Sequence, residues 1–151
     1  MALGHQQYGK KSAPPPPPAD DDFVAFLRRE IDLRSPSADL FDRTAERIAA
    51  TFASAGASNK PTQVRRFYDE LLRFRSFARQ SSADFSKLLP LVRMLNAKVA
   101  YAWSRKGEGG HLVDGNFKEF VRVLTDSVDD LPTLENACTL FEAVIGFSPR
   151  N

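Results

Sequence analysis

The sequence has few of the residues on which disulfide, metal and catalytic sites depend. Its 151 residues include one cysteine and two histidines, which excludes a disulfide framework within the chain and a Cys/His zinc site. No apolar run approaches the roughly 18 residues that a membrane-spanning helix needs. The N-terminus also lacks the apolar core of a secretory signal. These absences predict a soluble, cytoplasmic protein in a reducing compartment.

Groups for catalysis are equally scarce. Cys138 lies on an apolar helical stripe, which is typical of a small buried residue. His111 follows the glycine-rich loop Gly107–Gly110, where a lone histidine is usually exposed. That loop lacks the Gly-Lys-Ser/Thr sequence of a phosphate-binding loop. The sequence therefore predicts no enzyme, no metal and no cofactor; an RNA-cutting enzyme that uses His111 is the remote alternative.

Residues 1–22 are predicted to form a disordered, proline-rich tail. The segment Pro14–Pro18 favours a polyproline II conformation, and three aspartates follow it. The tail has too few apolar side chains to offset the entropy lost on ordering. A spacer is the favoured interpretation, and a ligand for a proline-binding partner is the alternative. Residues 23–151 are predicted to form one helical domain.

Apolar residues recur at helical spacing from Phe23 onward and show no convincing β-alternation. This pattern predicts an all-α fold, a single-domain bundle of five or six helices with short connections. Pro90 is expected only in a first turn or at a kink, so residues 84–89 are predicted to be a separate turn. The predicted N-terminal caps are Ser37 or Asp39 for the second helix, Thr62 for the third, and Asn116, in a capping box with Glu119, for the fifth.

Three aspartates cluster between the last two predicted helices. Asp126, Asp129 and Asp130 lack the spacing of a calcium-binding loop. They are interpreted as a helix cap or a solvated acidic surface.

Basic residues are concentrated in the middle of the chain. Residues 60–106 contain eleven lysines and arginines against three acidic residues, a net charge of +8, whereas residues 107–151 carry −5. This asymmetry indicates a polyanionic partner. The alternative is the solvated surface of ordinary helices.

The cations of the third and fourth predicted helices are expected to lie outside the core. Arg66 and Arg73 point almost directly away from the apolar stripe of the third helix, with Arg65 on a flank. On the fourth helix, Lys98 and Arg105 are seven residues apart, about 10.5 Å along the axis. That spacing places long basic side chains within reach of alternating phosphates of a nucleic-acid strand.

The other residues on the fourth helix have two interpretations. Met94 and Tyr101 lie beside the cations and are predicted to pack on a neighbouring helix; stacking of a base on Tyr101 is the alternative. Phosphate contacts set affinity and register without reading bases. We predict such contacts, hence binding of a nucleic acid, for a set of six cations: Arg65, Arg66, Arg73, Arg93, Lys98 and Arg105.

Three segments resemble the small subunit of type III-A CRISPR effector complexes, the Csm ribonucleoproteins. Residues 62–68, Thr-Gln-Val-Arg-Arg-Phe-Tyr, resemble the start of that family's core. Residues 91–102, Leu-Val-Arg-Met-Leu-Asn-Ala-Lys-Val-Ala-Tyr-Ala, resemble its central helix, in which a lysine and an Ala-Tyr pair precede a basic residue, here Arg105. Residues 141–147 resemble its closing helix. The resemblance covers about residues 60–147.

The resemblance implies a non-catalytic, all-α subunit present in several copies. These copies stack head to tail along the guide RNA–target RNA duplex, beside a larger backbone subunit that cleaves target RNA. DNA cleavage and cyclic oligoadenylate synthesis belong to the large subunit. Guide RNA, target RNA, other subunits and further copies of the chain would be the partners, with no membrane and no small-molecule substrate.

A helical protein–protein adaptor is the alternative from a different functional class. In that case, the basic surface would dock an acidic protein. A second hypothesis concerns assembly: the acidic C-terminal third of one copy would meet the basic middle of the next.

Overall fold

The computed structural model describes residues 15–107 and 109–149. Across these ranges the chain forms six α-helices, a π-helical turn and a two-stranded hairpin, which confirms the predicted all-α class. The elements in chain order are α1 (Asp21–Glu30), the π-helical turn (Leu40–Thr44), α2 (Ala45–Ala53), α3 (Pro61–Ala78), α4 (Phe85–Ser104), β1 (Lys106–Gly107), β2 (Gly110–His111), α5 (Gly115–Ser127) and α6 (Leu131–Phe147). None of the described helices is long and apolar enough to cross a membrane.

Helix α6 lies at the centre of the bundle. It packs against α2 and α3, while α5 packs against α4 and α1. Its buried residues face several directions and include Leu134, Cys138, Leu140 and Phe141. A helix that is apolar on most of its circumference is stable only when it is surrounded. The remaining helices therefore each need to bury only one face against α6 or α5.

Aromatic rings connect the layers. Phe117 and Phe120 of α5 are fully buried, and each ring centroid lies 5.3 Å from that of Phe52 on α2. Phe67 of α3 packs 5.6 Å from Phe117, and Phe141 of α6 packs 5.4 Å from Phe120. Edge-on and tilted pairs at these distances add to the free energy of area burial.

Two of the predicted helix starts are wrong by a few residues. The third helix begins at Pro61 after Lys60, and Thr62 lies inside its first turn. Proline is favourable at this first position because its missing N–H has no partner there in any helix. The fifth helix is capped by Asp114, whose carboxylate accepts from the backbone N–H of Phe117 at 2.9 Å, so Asn116 is not the cap.

Asp114 is selected as a cap by a contact from a distant loop. Asn59 makes two hydrogen bonds with Asp114. Its side-chain amide donates to the Asp114 carboxylate at 2.9 Å, and its side-chain oxygen accepts from the Asp114 backbone N–H at 2.9 Å. Asn59 adopts a left-handed backbone with φ of 60°, which asparagine tolerates better than most residues. The α2–α3 loop is thereby tied to the start of α5.

Two further predictions about local structure are corrected. Residues 85–104 form one continuous helix with Pro90 inside it, so residues 84–89 are not a separate turn. Lys106–Gly107 and Gly110–His111 pair as a minimal antiparallel hairpin. The sequence pattern did not predict these strands, because it shows no β-alternation. The predicted cap of the second helix is also wrong: the Asp39 side chain makes no capping hydrogen bond, and a π-helical turn separates Asp39 from α2.

The last two residues of the predicted disordered tail, Asp21 and Asp22, belong to the first helix. Helix α1 begins at Asp21, and the side chain of Asp20 caps it by accepting from the Asp22 backbone N–H at 2.9 Å. Residues 15–20 form no regular element but contact the domain. The predicted disorder of residues 1–14 lies outside the described residues.

The interpretation of the acidic cluster as a helix cap is confirmed for Asp130. Its carboxylate accepts from the backbone N–H of Thr133 at 2.9 Å, and the Thr133 hydroxyl accepts from the Asp130 backbone N–H at 3.1 Å. This reciprocal arrangement satisfies donors at the start of α6. Hydrogen bonds from Thr133 also lower the pKa of the Asp130 carboxyl below its ordinary value of 3.8.

Removing this cap is expected to destabilise the bundle. Asp130→Ala should lower the free energy of unfolding by about 1 kcal/mol, measured by chemical denaturation. Since the pKa is lower in the folded state, the charged form contributes stability above pH 3.8, and this contribution is lost as the pH falls through the folded-state value. Asp130→Asn, which keeps the acceptor oxygen, should retain most of the stability at neutral pH. Equal losses in both variants would contradict this role.

Candidate nucleic-acid interface

The outer surfaces of α3 and α4 are joined by an ion pair. Lys98 Nζ on α4 contacts Glu70 Oε1 on α3. Arg66 and Arg73 are exposed and lie about one turn before and after Glu70, on the same stripe of α3. We call the surface formed by Arg66, Glu70, Arg73, Lys98 and Arg105 the α3–α4 face.

Helix α4 adds an exposed tyrosine to this face. Tyr101 lies between Lys98 and Arg105, and the Arg105 guanidinium carbon is 4.5 Å from the centre of its ring. Tyr101 and Met94 are 58% and 47% exposed. The prediction that these two side chains pack on a neighbouring helix is therefore wrong for the isolated chain. The ring instead holds the guanidinium against the helix surface, which reduces the entropy that Arg105 loses on binding an anion.

The other two predicted cations lie elsewhere on the surface. Arg93 is about 140° around α4 from Lys98, and its Nη1 atom is 3.9 Å from Asp126 Oδ1 on α5. Arg65 lines a cleft of about 660 Å³ between α2, the start of α3 and the end of α6. Helical spacing thus puts Arg66 and Arg73 on the same stripe of α3 as Glu70, and Arg105 on the same stripe of α4 as Lys98. Arg65 and Arg93 lie on other surfaces.

Glu70 is a feature of the face that sequence reasoning did not single out. Its side chain is only 18% exposed, whereas that of Lys98 is 46% exposed. The carboxylate therefore lies at the base of the face, with the ammonium group above it. Its position between Arg66 and Arg73 follows from helical spacing, but its pairing with Lys98 depends on how α3 and α4 pack.

His111 is buried rather than exposed as predicted. The residue is 8% exposed, and within the described ranges neither ring nitrogen has a hydrogen-bond partner. Its backbone carbonyl accepts from the Ser58 hydroxyl at 2.7 Å. The described residues also contain no group of three or more histidine, cysteine or acidic side chains that could hold a metal ion. A general base needs an accessible nitrogen, so the geometry does not favour the RNA-cutting alternative.

Cys138 occupies the core between α3 and α6, as predicted. The residue is fully buried, and its Sγ lies 3.8 Å from the carbonyl oxygen of Leu71. Burial raises the pKa of the thiol to about 11. The thiolate, which is the reactive form, is therefore scarce at neutral pH.

The thiol is expected to react only when the protein unfolds. At about pH 8, a solvent-borne alkylating reagent should label Cys138 far more slowly in the folded chain than in denaturant, because both burial and the raised pKa suppress the thiolate. Mass spectrometry measures the labelling, and circular dichroism checks that helicity persists. Rapid, complete labelling of a fully helical protein would contradict a structural role.

Comparison with known proteins agrees with this geometry. The family model described as Csm2 Type III-A matches residues 35–148. No curated protein and no solved structure matches the chain significantly. The family match extends from the second predicted helix to the end of α6, and therefore includes both helices of the α3–α4 face. An all-helical fold, basic outer helices and a match over most of the chain lead to one conclusion: the chain belongs to the Csm2 type III-A family, the small structural subunits of type III-A CRISPR complexes.

Proposed function

We propose that this subunit binds the sugar–phosphate backbone of RNA through the α3–α4 face, without reading sequence and without catalysing a reaction. Several copies would stack head to tail along the guide RNA–target RNA duplex. The observation that carries the proposal is the ion pair between Lys98 and Glu70, which joins the outer stripes of α3 and α4. Arg66 and Arg73 on the α3 stripe, and Lys98 and Arg105 on the α4 stripe, are all exposed.

The spacing of these cations suits a strand of phosphates. Arg66 and Arg73, like Lys98 and Arg105, are seven residues apart, which is about 10.5 Å along a helix axis. Arginine also forms paired hydrogen bonds with phosphate oxygens. A set of cations without base-reading partners supports sequence-independent binding, and in RNA-guided complexes base pairing with the guide reads the target.

Glu70 is an acidic residue within the face and weakens its attraction for phosphate. Its carboxylate offsets part of the Lys98 charge and repels any phosphate that approaches the centre of the face. Glutamine has nearly the same size as glutamate and keeps an oxygen that accepts from Lys98, so the charge of Glu70 can be removed without leaving an unsatisfied buried group. Neutralising it should strengthen RNA binding.

The first test therefore predicts an increase in RNA affinity. Glu70→Gln should raise affinity for unrelated RNAs several-fold at low salt, because it removes a negative charge and frees Lys98 for phosphate. Each added phosphate contact steepens the dependence of log K on log salt by about 0.7 to 0.9. Filter binding across a salt series measures both quantities.

The matched control is Glu46→Gln on α2, where the carboxylate is exposed. It makes the same change in net charge away from the face and should leave the salt slope unchanged. Equal effects of the two substitutions would show that net charge, and not the face, governs binding.

The second test compares two arginine pairs. Arg66→Ala with Arg105→Ala should lower RNA affinity and flatten the salt slope by about 1.4 to 1.8. Arg65→Ala with Arg93→Ala removes the same charge from other surfaces and should have a much smaller effect. Sequence preference should not change in either variant. Binding by the Arg66/Arg105 variant that equals wild type at every salt concentration would refute the proposed face.

One observation favours protein contact at the neighbouring part of these helices. Phe77, Leu91 and Met94 are about half exposed and lie in the turns of α3 and α4 nearest their connecting loop. Exposed apolar side chains clustered in this way mark protein interfaces. We propose that they contact another copy or another subunit. If the protein does not bind RNA, such contacts would support the alternative function, a protein–protein adaptor.

Two acidic residues of the C-terminal third, which would offer contacts between copies, are engaged within the chain. Asp129 pairs with Arg34, and Asp130 caps α6. Substitutions at these two positions would therefore change folding as well as association. The apolar side chains provide the cleaner test.

Replacing two of these side chains should weaken assembly selectively. Leu91→Gln with Met94→Gln removes apolar contact area without changing charge, so self-association or incorporation into the complex should fall while RNA affinity of the isolated chain stays within about twofold. Native mass spectrometry and analytical ultracentrifugation measure the assembly. Unchanged assembly with unchanged helicity would exclude this surface as an interface.

A further inference from the structure

Residues 15–19, which we call the proline strap, cross the end of α4 and the start of α5. The carbonyl oxygen of Pro17 accepts two hydrogen bonds, from the Trp103 indole Nε1–H at 2.8 Å and from the Gly115 backbone N–H at 2.9 Å. One proline carbonyl is thus held by a side chain of α4 and by the first residue of α5.

The adjoining residues extend this contact. The backbone N–H of Asp20 donates to the side-chain oxygen of Asn116 at 2.7 Å. A Cβ atom on Gly115 would lie 2.3 Å from the backbone nitrogen of Ala19 and 2.4 Å from the carbonyl carbon of Pro18. Neither backbone atom can withdraw as a flexible side chain can. The glycine therefore leaves the space that the strap occupies.

The strap has the chemistry of a polyproline II ligand. Its four consecutive prolines lack N–H groups, so this run of residues cannot supply the backbone donors of a helix or a strand ladder, while its carbonyls remain available as acceptors. An indole donor beside an extended proline segment is the arrangement by which aromatic-lined grooves recognise such ligands. Lys118 Nζ lies 4.5 Å from the centre of the Trp103 ring and helps to hold the indole in place.

We propose that the ends of α4 and α5 form a binding site for extended proline-rich polypeptide, and that the chain fills this site with its own residues 15–19. The strap behaves as a separable ligand and not as part of the core. None of its prolines belongs to the buried hydrophobic cluster, and Pro16 and Pro17 are only half-buried. This site is distinct from the α3–α4 face, and the proposal does not depend on RNA binding.

Trp103 is the only tryptophan of the chain, so its indole N–H reports directly on the site. The experiment uses full-length protein carrying Pro16→Gly, Pro17→Gly and Pro18→Gly, which keeps the carbonyls but removes the preformed extended conformation. The indole ¹H–¹⁵N signal should shift, and its hydrogen exchange should accelerate about fivefold or more, as expected for a lost hydrogen bond.

The ligand itself is then supplied separately. A capped peptide of residues 15–20 is added to the triple-glycine protein at millimolar concentration, so that it can compete with the weakened strap, whose effective concentration is also about millimolar. The peptide should return the indole signal to its wild-type position. The same peptide with glycine in place of its prolines serves as the control and should leave the signal unchanged. Failure of the proline peptide to restore the signal, or an unaltered signal in the triple-glycine protein, would overturn the proposal.

Two glycines provide a matched pair for the site. Gly115→Ala should expel the strap and prevent rescue by the peptide, whereas Gly146→Ala, whose added Cβ would meet no atom within 4 Å, should change neither. Asn116→Ala provides a second variant if Gly115→Ala does not fold, because it removes only the acceptor for Asp20. A wild-type indole signal in a folded Gly115→Ala or Asn116→Ala protein would also refute the site.

Discussion

The packing of Phe117 and Phe120 against their neighbours is the interaction on which the remaining structure depends. Both rings are fully buried on α5, and they contact Phe52 of α2, Phe67 of α3 and Phe141 of α6. Truncation of one such ring in a core costs about 3 to 5 kcal/mol, which is comparable with the net stability of a small domain. One face of α5 thus organises three other helices and leaves their opposite faces available for other contacts.

This arrangement separates stability from binding. Because α3 buries its apolar stripe against α6, and α4 buries its own against α5, their outer surfaces carry no structural requirement apart from solubility. Cations can accumulate there at little cost in stability, since exposed charges are screened by water. A protein that holds a phosphate backbone needs such a surface and needs no catalytic group. The family assignment and the geometry therefore describe the same kind of molecule, a structural subunit.

Contacts between distant segments adjust this simple plan. Asn59 fixes the cap of α5 through Asp114, and Gly115 in the next position leaves room for the proline strap. The strap in turn bonds the indole of Trp103, near the end of α4. Short polar contacts therefore join the N-terminal segment, the α2–α3 loop and the ends of two helices. These contacts bury little apolar surface; their effect is to fix the positions of the segments relative to one another.

The sequence by itself determined the helical class, the buried stripes and the outward direction of Arg66 and Arg73, because helical periodicity is a local property of the chain. The cap at Asp114 was missed because local sequence offers both Asp114 and Asn116 near the start of α5, and contacts from Asn59 select Asp114. Only the tertiary structure decided that Glu70 lies beneath Lys98. The physical reason is general. Helix geometry fixes which residues three and four positions apart share a face, whereas the segments that bury that face or leave it exposed are distant in sequence.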